Sequence, residues 1–175
     1  MRYKDIPRLT SAGHYQVNMP LRNITKRLQE YKDEMGLNLE PIFQRGHVWT
    51  EEQQIKYVEY LLRGGESSRT IYFNCPWWHY QVGSGGYRDF VCVDGLQRLT
   101  AVCAFMENKI PAFGLYCSQF DEKIPYDYDL LFNVNDLKTE QEVLQWYIDL
   151  NEGGTPHTKE EILRVKSLLN ELNND

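Results

Sequence analysis

Eight consecutive residues, Val93-Asp94-Gly95-Leu96-Gln97-Arg98-Leu99-Thr100, carry the densest chemistry in the chain. They follow an apolar run, Arg88–Val93, and open a stretch with Leu96, Leu99, Cys103 and Met106 at helical spacing, so they read as strand, turn and helix. A helix N-terminus offers unpaired N–H groups and the positive end of the helix dipole, which together suit a phosphate. Gly95 would let a ligand approach the backbone, Arg98 could fork onto phosphate oxygens, and the Thr100 hydroxyl could add a hydrogen bond. Asp94 could hold Arg98, ligate Mg²⁺ through water, or simply cap the helix. That last alternative is a strong one, because Asp94 and Gln97 fit an N-cap and N3 pair. Neither G-x-x-x-x-G-K-[ST] nor G-x-G-x-x-G occurs, which removes the P-loop and dinucleotide-fold classes.

The elements that must position this turn follow from periodicity. Helical spacing begins near Asn23, with Ile24, Leu28, Tyr31 and Met35 on one face and Gly36 as a stop. A short extended piece, Leu37–Phe43, leads to Gln44-Arg45-Gly46-His47-Val48-Trp49. Thr50 and Gln53 form a capping box for a helix lined by Ile55, Val58, Leu61 and Leu62, with Trp49 as a hydrophobic staple or, alternatively, a ring for stacking a base or ligand. Thr70–Cys75 and Arg88–Val93 read as the strands of a hairpin whose connection holds Pro76-Trp77-Trp78-His79-Tyr80 and the flexible Gly83–Gly86 run. The aromatic group is either a core edge or a surface for stacking or for a protein partner through Trp77, Trp78 and Tyr80. Residues 109–135 are aromatic and irregular, with room for one or two strands, and Asp127–Asp129 reads as a solvated acidic patch. Thr139 with Glu142, and Thr158 with Glu161, open two last helices. The order of elements is α+β rather than doubly wound. It divides into an N-terminal arm or edge segment (1–22), a central domain (23–135) and a C-terminal helical pair packed on it (136–175).

Composition bounds the function. The chain has 175 residues, 42% of them apolar and 25% charged, ordinary for a globular protein. Net charge is −6, and it is uneven: residues 1–88 hold 12 Lys and Arg against 9 Asp and Glu, residues 89–175 hold 7 against 16. That balance speaks against an extensive nucleic-acid surface, although a local basic pocket remains possible. The four cysteines, Cys75, Cys92, Cys103 and Cys117, have neither zinc spacing nor a disulfide pattern and read as small buried hydrophobes; no metal site is expected from them. With no apolar leader and no apolar run of membrane length, the expected location is cytoplasmic.

Asp94-Gly95-Leu96-Gln97-Arg98-Leu99-Thr100 resembles the D-G-Q-Q-R-L-T signature of the ParB/sulfiredoxin-like DGQQR family, which includes the nucleotide-binding half of GmrSD modification-dependent restriction enzymes. Two further segments resemble elements of that family, in its order: Pro41–Trp49 its P-x-[YF]-Q-R-x-x-x-W element, and Leu150–Glu161 its later N-x-g-g element. The resemblance implies a ParB/sulfiredoxin-like fold, a small mixed sheet with flanking helices and C-terminal helices. It implies binding of a nucleoside triphosphate of unknown base, with Mg²⁺ and NTP hydrolysis as further expectations, in a setting of restriction and phage defence. By the same resemblance the catalytic candidates are Asp94, Gln97 and Arg98, and the nucleotide-binding candidates Gln44, Arg45, Gly95, Arg98, Thr100 and Asn151. One position departs: the first Gln of the signature is Leu96 here. If that side chain touches nucleotide, turnover is in doubt; if it packs, the site survives. No nuclease motif of the H-N-H type occurs, so any nuclease is expected elsewhere. The alternatives are a non-enzymatic partner-binding or decoy protein, regulatory or phage-borne, and, behind it, a DNA-associated ParB-like nuclease.

Overall fold

The computed structural model describes residues 2, 6, 15–44, 46, 48–78, 86–152 and 159–174. Its elements in chain order are β1 (Tyr15–Pro20), α1 (Ile24–Met35), α2 (Glu51–Leu62), β2 (Thr70–Asn74), β3 (Val91–Asp94), α3 (Leu96–Met106), β4 (Asp129–Asn135), α4 (Glu140–Glu152) and α5 (Lys159–Asn174). The fold is α+β, as the order of sequence signals indicates.

The local grammar explains most element ends. α1 stops at Gly36, which takes a left-handed φ of 67° and returns its N–H to the Lys32 carbonyl. Thr50 and Gln53 form a reciprocal capping box at the start of α2. Thr139 and Glu142 do the same for α4: the Thr139 hydroxyl accepts from Glu142 N at 3.2 Å, and Glu142 Oε2 accepts from Thr139 N at 3.0 Å. Trp49 packs its ring on Tyr57, 5.4 Å between centroids, one turn further along α2 than a staple would reach. The cap at Thr158 lies outside the described residues.

The four strands form one mixed sheet in the order β1-β4-β2-β3. β4 is parallel to β2 and antiparallel to β1, while β2 and β3 form the expected antiparallel pair. Residues 15–20 are therefore an edge strand of the sheet, the edge-segment alternative of the sequence reading. Residues 109–135 supply one strand, β4.

Alternation along the strands builds two apolar clusters, one on each face. Ile71, Phe73, Cys92, Leu130, Phe132 and Val134 face α1, α2 and α3. Val91 and Val93 face α4 and α5, and Tyr72 packs there with its ring edge-on to Trp146. The helices of the C-terminal pair thus cover the β3 side of the second face. The cysteines are free, two buried and two half-buried. Among the described residues no helix is long and apolar enough to cross a membrane.

Candidate functional site

β3 ends and α3 begins at one joint, Gly95. Its φ is 103°, and a Cβ there would stand 2.7 Å from Ile71 Cδ1 and 3.2 Å from Ile71 Cα. Backbone conformation and close packing on β2 both require glycine, so the fold by itself accounts for the residue. Gly95 is also the N-cap of α3, with no side chain capping it. The Asp94–Gln97 capping pair therefore does not form: Asp94 is the last residue of β3, and Gln97 sits at the second helical position.

Each side chain so displaced has another task. The Asp94 carboxylate pairs with the Arg98 guanidinium one turn on. A second arm of Arg98 donates to the Ser68 carbonyl at 3.4 Å. That carbonyl also accepts from the Tyr57 hydroxyl at 2.8 Å, and Ser68 itself has a left-handed φ of 59°. Burial raises the Tyr57 pKa, with Arg98 and Arg69 opposing it, so the phenol stays a donor. Arg69, next along the chain, pairs with Asp129 and also donates Nε–H to the Asp129 carbonyl at 2.9 Å. Asp129 is only 8% exposed, so the acidic patch read as solvated is half wrong: Asp127 is exposed, while Asp129 is a buried ion-pair partner.

The first hydrogen bond inside α3 runs from Leu99 N to the Gly95 carbonyl at 2.9 Å. The N–H groups of Leu96, Gln97 and Arg98 are thus the open donors of the helix start. Leu96, where the signature has Gln, is 4% exposed and packs in the α1–α3 core.

Two glutamines fasten the 41–49 segment to this joint. Asn38 forms a parallel bridge with Val91, so the segment runs along the free edge of β3. Gln44 then donates its amide to the carbonyls of Val93 (3.3 Å) and Cys92 (3.5 Å). From the other side, Gln97 Oε1 accepts from Val48 N (2.9 Å) and Trp49 N (3.0 Å), and its Nε2 donates to the Gly46 carbonyl (3.1 Å). Both the oxygen and the nitrogen of the Gln97 amide thus hold backbone of the 46–49 stretch. Arg45 and His47 lie outside the described residues.

Two other candidates sit further away. Thr100 is about 200° around the helix from Arg98 and lines a separate cavity of about 230 Å³ with Lys32, Cys103 and Glu107. Asn151 is buried in α4 and donates to the Tyr147 carbonyl at 2.6 Å; Tyr147 in turn packs on Phe43 at 5.3 Å. The structure therefore brings together Asp94, Gly95, Gln97, Arg98 and Gln44, with Asn151 linked to Gln44 only through Tyr147 and Phe43, and Thr100 apart. Trp77 and Trp78 pack against the core, Trp78 against Tyr15, Tyr31 and Phe90, and Trp77 Nε1 donates to the Arg88 carbonyl at 3.1 Å. They follow the core-edge alternative; Tyr80 lies outside the described residues.

Sequence reasoning missed Tyr57, Ser68, Arg69 and Asp129 around Arg98, and Arg164 of α5, which donates to the Phe43 carbonyl at 3.2 Å. Only Tyr57, on the apolar face of α2, carried a signal. It also missed a set of asparagines on the second face of the sheet. Asn74 exchanges both amide bonds with the Leu137 backbone, at 2.8 and 3.1 Å. The side-chain amide of fully buried Asn135, and Asn133 Oδ1, have no hydrogen-bond partner among the described residues, at a cost of about 1–3 kcal/mol for each unsatisfied group.

No curated protein and no solved structure matches the chain. Residues 24–130, which include both the Gln44–Trp49 segment and the Asp94–Arg98 turn, match the family described as GmrSD restriction endonuclease, N-terminal domain, and the chain belongs to that family.

Proposed function

We propose that the start of α3 binds the phosphates of a nucleoside triphosphate, making the chain a nucleotide-responsive module of a restriction system. One observation carries this reading: Arg98 is held at the first turn of α3, beside three backbone N–H groups that the helix itself leaves open. Membership of the restriction-endonuclease family supports the setting. Arg98 has five donors, and its bonds to Asp94 and Ser68 leave others for phosphate oxygens. Leu96 packs in the core, so its difference from the signature leaves this surface untouched.

NTP hydrolysis is the further step of the same reading. Arg98 and the open N–H groups would stabilise charge gathering on the phosphoryl oxygens. Asp94 is the carboxylate at the turn that fits a Mg²⁺ brought in on the triphosphate, since Mg²⁺ commonly takes one or two carboxylates and keeps its phosphate and water ligands. Gln97 and Gln44 would act indirectly, by fixing the loop that bears Arg45.

The test is calorimetry of the wild type, Arg98→Lys and Arg98→Ala with each of the four NTPs and with tripolyphosphate. Wild type is expected to bind. Arg98→Ala is expected to bind at least about tenfold more weakly, with Arg98→Lys between them because it keeps charge but loses the fork. Absence of binding by the folded wild type to every NTP and to tripolyphosphate would remove the reading.

A further inference from the structure

The two edges of the sheet are treated differently. Asn38 closes the edge of β3: its N–H donates to the Phe90 carbonyl at 2.8 Å, and its carbonyl accepts from Cys92 N at 3.0 Å. The Gln44 amide adds its bonds to the Cys92 and Val93 carbonyls. The edge of β1 has no such cover among the described residues. The phase of the ladder shows what that edge offers. Leu21 N donates to the Tyr128 carbonyl at 2.8 Å, continuing the β1–β4 register. On its other side β4 bonds β2 through odd-numbered residues, Leu131 N to the Arg69 carbonyl and Cys75 N to the Asn135 carbonyl. Such bonds alternate residue by residue, so Tyr15, Val17 and Met19 bond β4, and the backbone groups of Gln16, Asn18 and Pro20 point outward. Pro20 fits there, since the N–H it lacks would face away from β4. Gln16 and Asn18 are exposed, and each presents an N–H and a carbonyl to the outside. Charges and bulges are the usual guards of an edge. β1, Tyr-Gln-Val-Asn-Met-Pro, carries no charge and pairs with β4 without a register break.

The strand is also complementary to itself, as a two-fold contact requires. A second β1 laid antiparallel, with Val17 opposite its own copy, sets Gln16 opposite Asn18 of that copy and Tyr15 opposite Met19. Gln16 and Asn18 then exchange both N–H···O bonds on each side of the axis. On the α1–α3 face valine meets valine, and Tyr15, 40% exposed, gains an apolar neighbour. On the other face amide meets amide, and no charges are opposed. An orphaned group points the same way. Gln16 pairs with Asn133 of β4 at a position without backbone bonds between them, where side chains come closest. Asn133 Oδ1 is buried with no donor. Exposed Gln16 has little to order it in one copy alone. Held between Asn133 and Asn18 of the second copy, its amide can donate to the first and bond the second.

We propose that β1 is a dimerisation strand: two copies of this chain join their sheets edge to edge through Tyr15–Pro20, antiparallel about Val17. This stands apart from the phosphate reading and needs no nucleotide.

The experiment is sedimentation velocity of the full chain from micromolar to millimolar concentration, where a concentration-dependent dimer is expected. Asn18→Pro keeps the bonds to β4, because the N–H at this position faces outward, and Val17 before it is already extended. It removes one outward donor from each copy, and is expected to raise the dimer dissociation constant at least about tenfold with the circular dichroism of the wild type. Asn18→Lys, which puts a charge on the edge, is expected to act in the same direction and serves if proline disturbs folding. Val17→Cys is expected to give a disulfide-linked dimer on mild oxidation, since residue 17 meets its own copy at close range, and Tyr15→Cys is not. A wild type that stays monomeric throughout the range overturns the proposal, whatever other strand the edge takes. So does a dimer that both Asn18 variants leave intact, or one that cross-links through position 15 and not 17.

Discussion

Leu96 occupies the first position of α3 with 4% of its surface exposed, inside the core that also holds Ile71 and Leu99. A polar side chain there would lose water and find no partner built for it. Leu96→Gln, the change that restores the family signature, is therefore expected to cost about 2–3 kcal/mol of stability in urea denaturation. It should leave nucleotide affinity unchanged and confer no turnover. A rise in turnover with stability kept would show that position 96 faces ligand after all. Gly95 and Arg98 were legible because their types are rare at a strand–helix joint without a reason. The reason for Gly95, the close approach of Ile71, was not legible, since Ile71 is a distant β2 residue known only once the strands are stacked. Asp94 and Gln97 misled for a definite cause. Their spacing satisfies the capping rule, but the φ of 103° at Gly95 moves the cap one residue on and frees both side chains for other bonds.

At the scale of elements, two glutamine amides hold the 41–49 segment between the edge of β3 and the start of α3. Removing the Gln97 side chain breaks three of these bonds in a half-exposed setting. Gln97→Ala is expected to cost about 1–2 kcal/mol and to speed hydrogen exchange at the Val48 and Trp49 amides, which lose their acceptor, while the amides of α3 beyond its first turn stay protected. Equal exchange at Val48 and Trp49 in both proteins would remove Gln97 as the fastener. Helix ends were largely readable here, since Gly36, Thr50 with Gln53 and Thr139 with Glu142 act within a few residues. β1 was not, because Tyr15–Pro20 is defined by pairing with β4, more than a hundred residues away, and such a partner leaves no local trace. The same holds for the unpaired Asn133 and Asn135, which look like ordinary polar strand residues until their depth is known.

Across the molecule, burial raises the pKa of Cys75 and Cys103 to about 12, and that of Cys92 higher still. An acid whose pKa is raised by folding favours the folded state only while it stays protonated in both states. Its contribution is full below the unfolded value, 9.0 for these thiols, and is lost as pH rises from there toward 12. Stability to urea is thus expected to be level approaching pH 9 and to decline above it. Alkylation at neutral pH should begin at Cys117, half-buried and without the large upward shift of the other three, which react when the fold opens. Uniform labelling of all four in the native protein would contradict this. The sheet order has a further consequence, in the timing of assembly. β4 lies between β1 and β2, and both pair with it, yet it is the last strand to be synthesised. While residues 15–128 emerge, β1 has no partner and β2 can pair only with β3, so one edge of each strand waits for residue 135. Long-range closure of this kind makes for slow folding and for a nascent chain that exposes unpaired strand edges. By topology, β4 is the strand that closes the sheet, joining β1 to the β2–β3 pair.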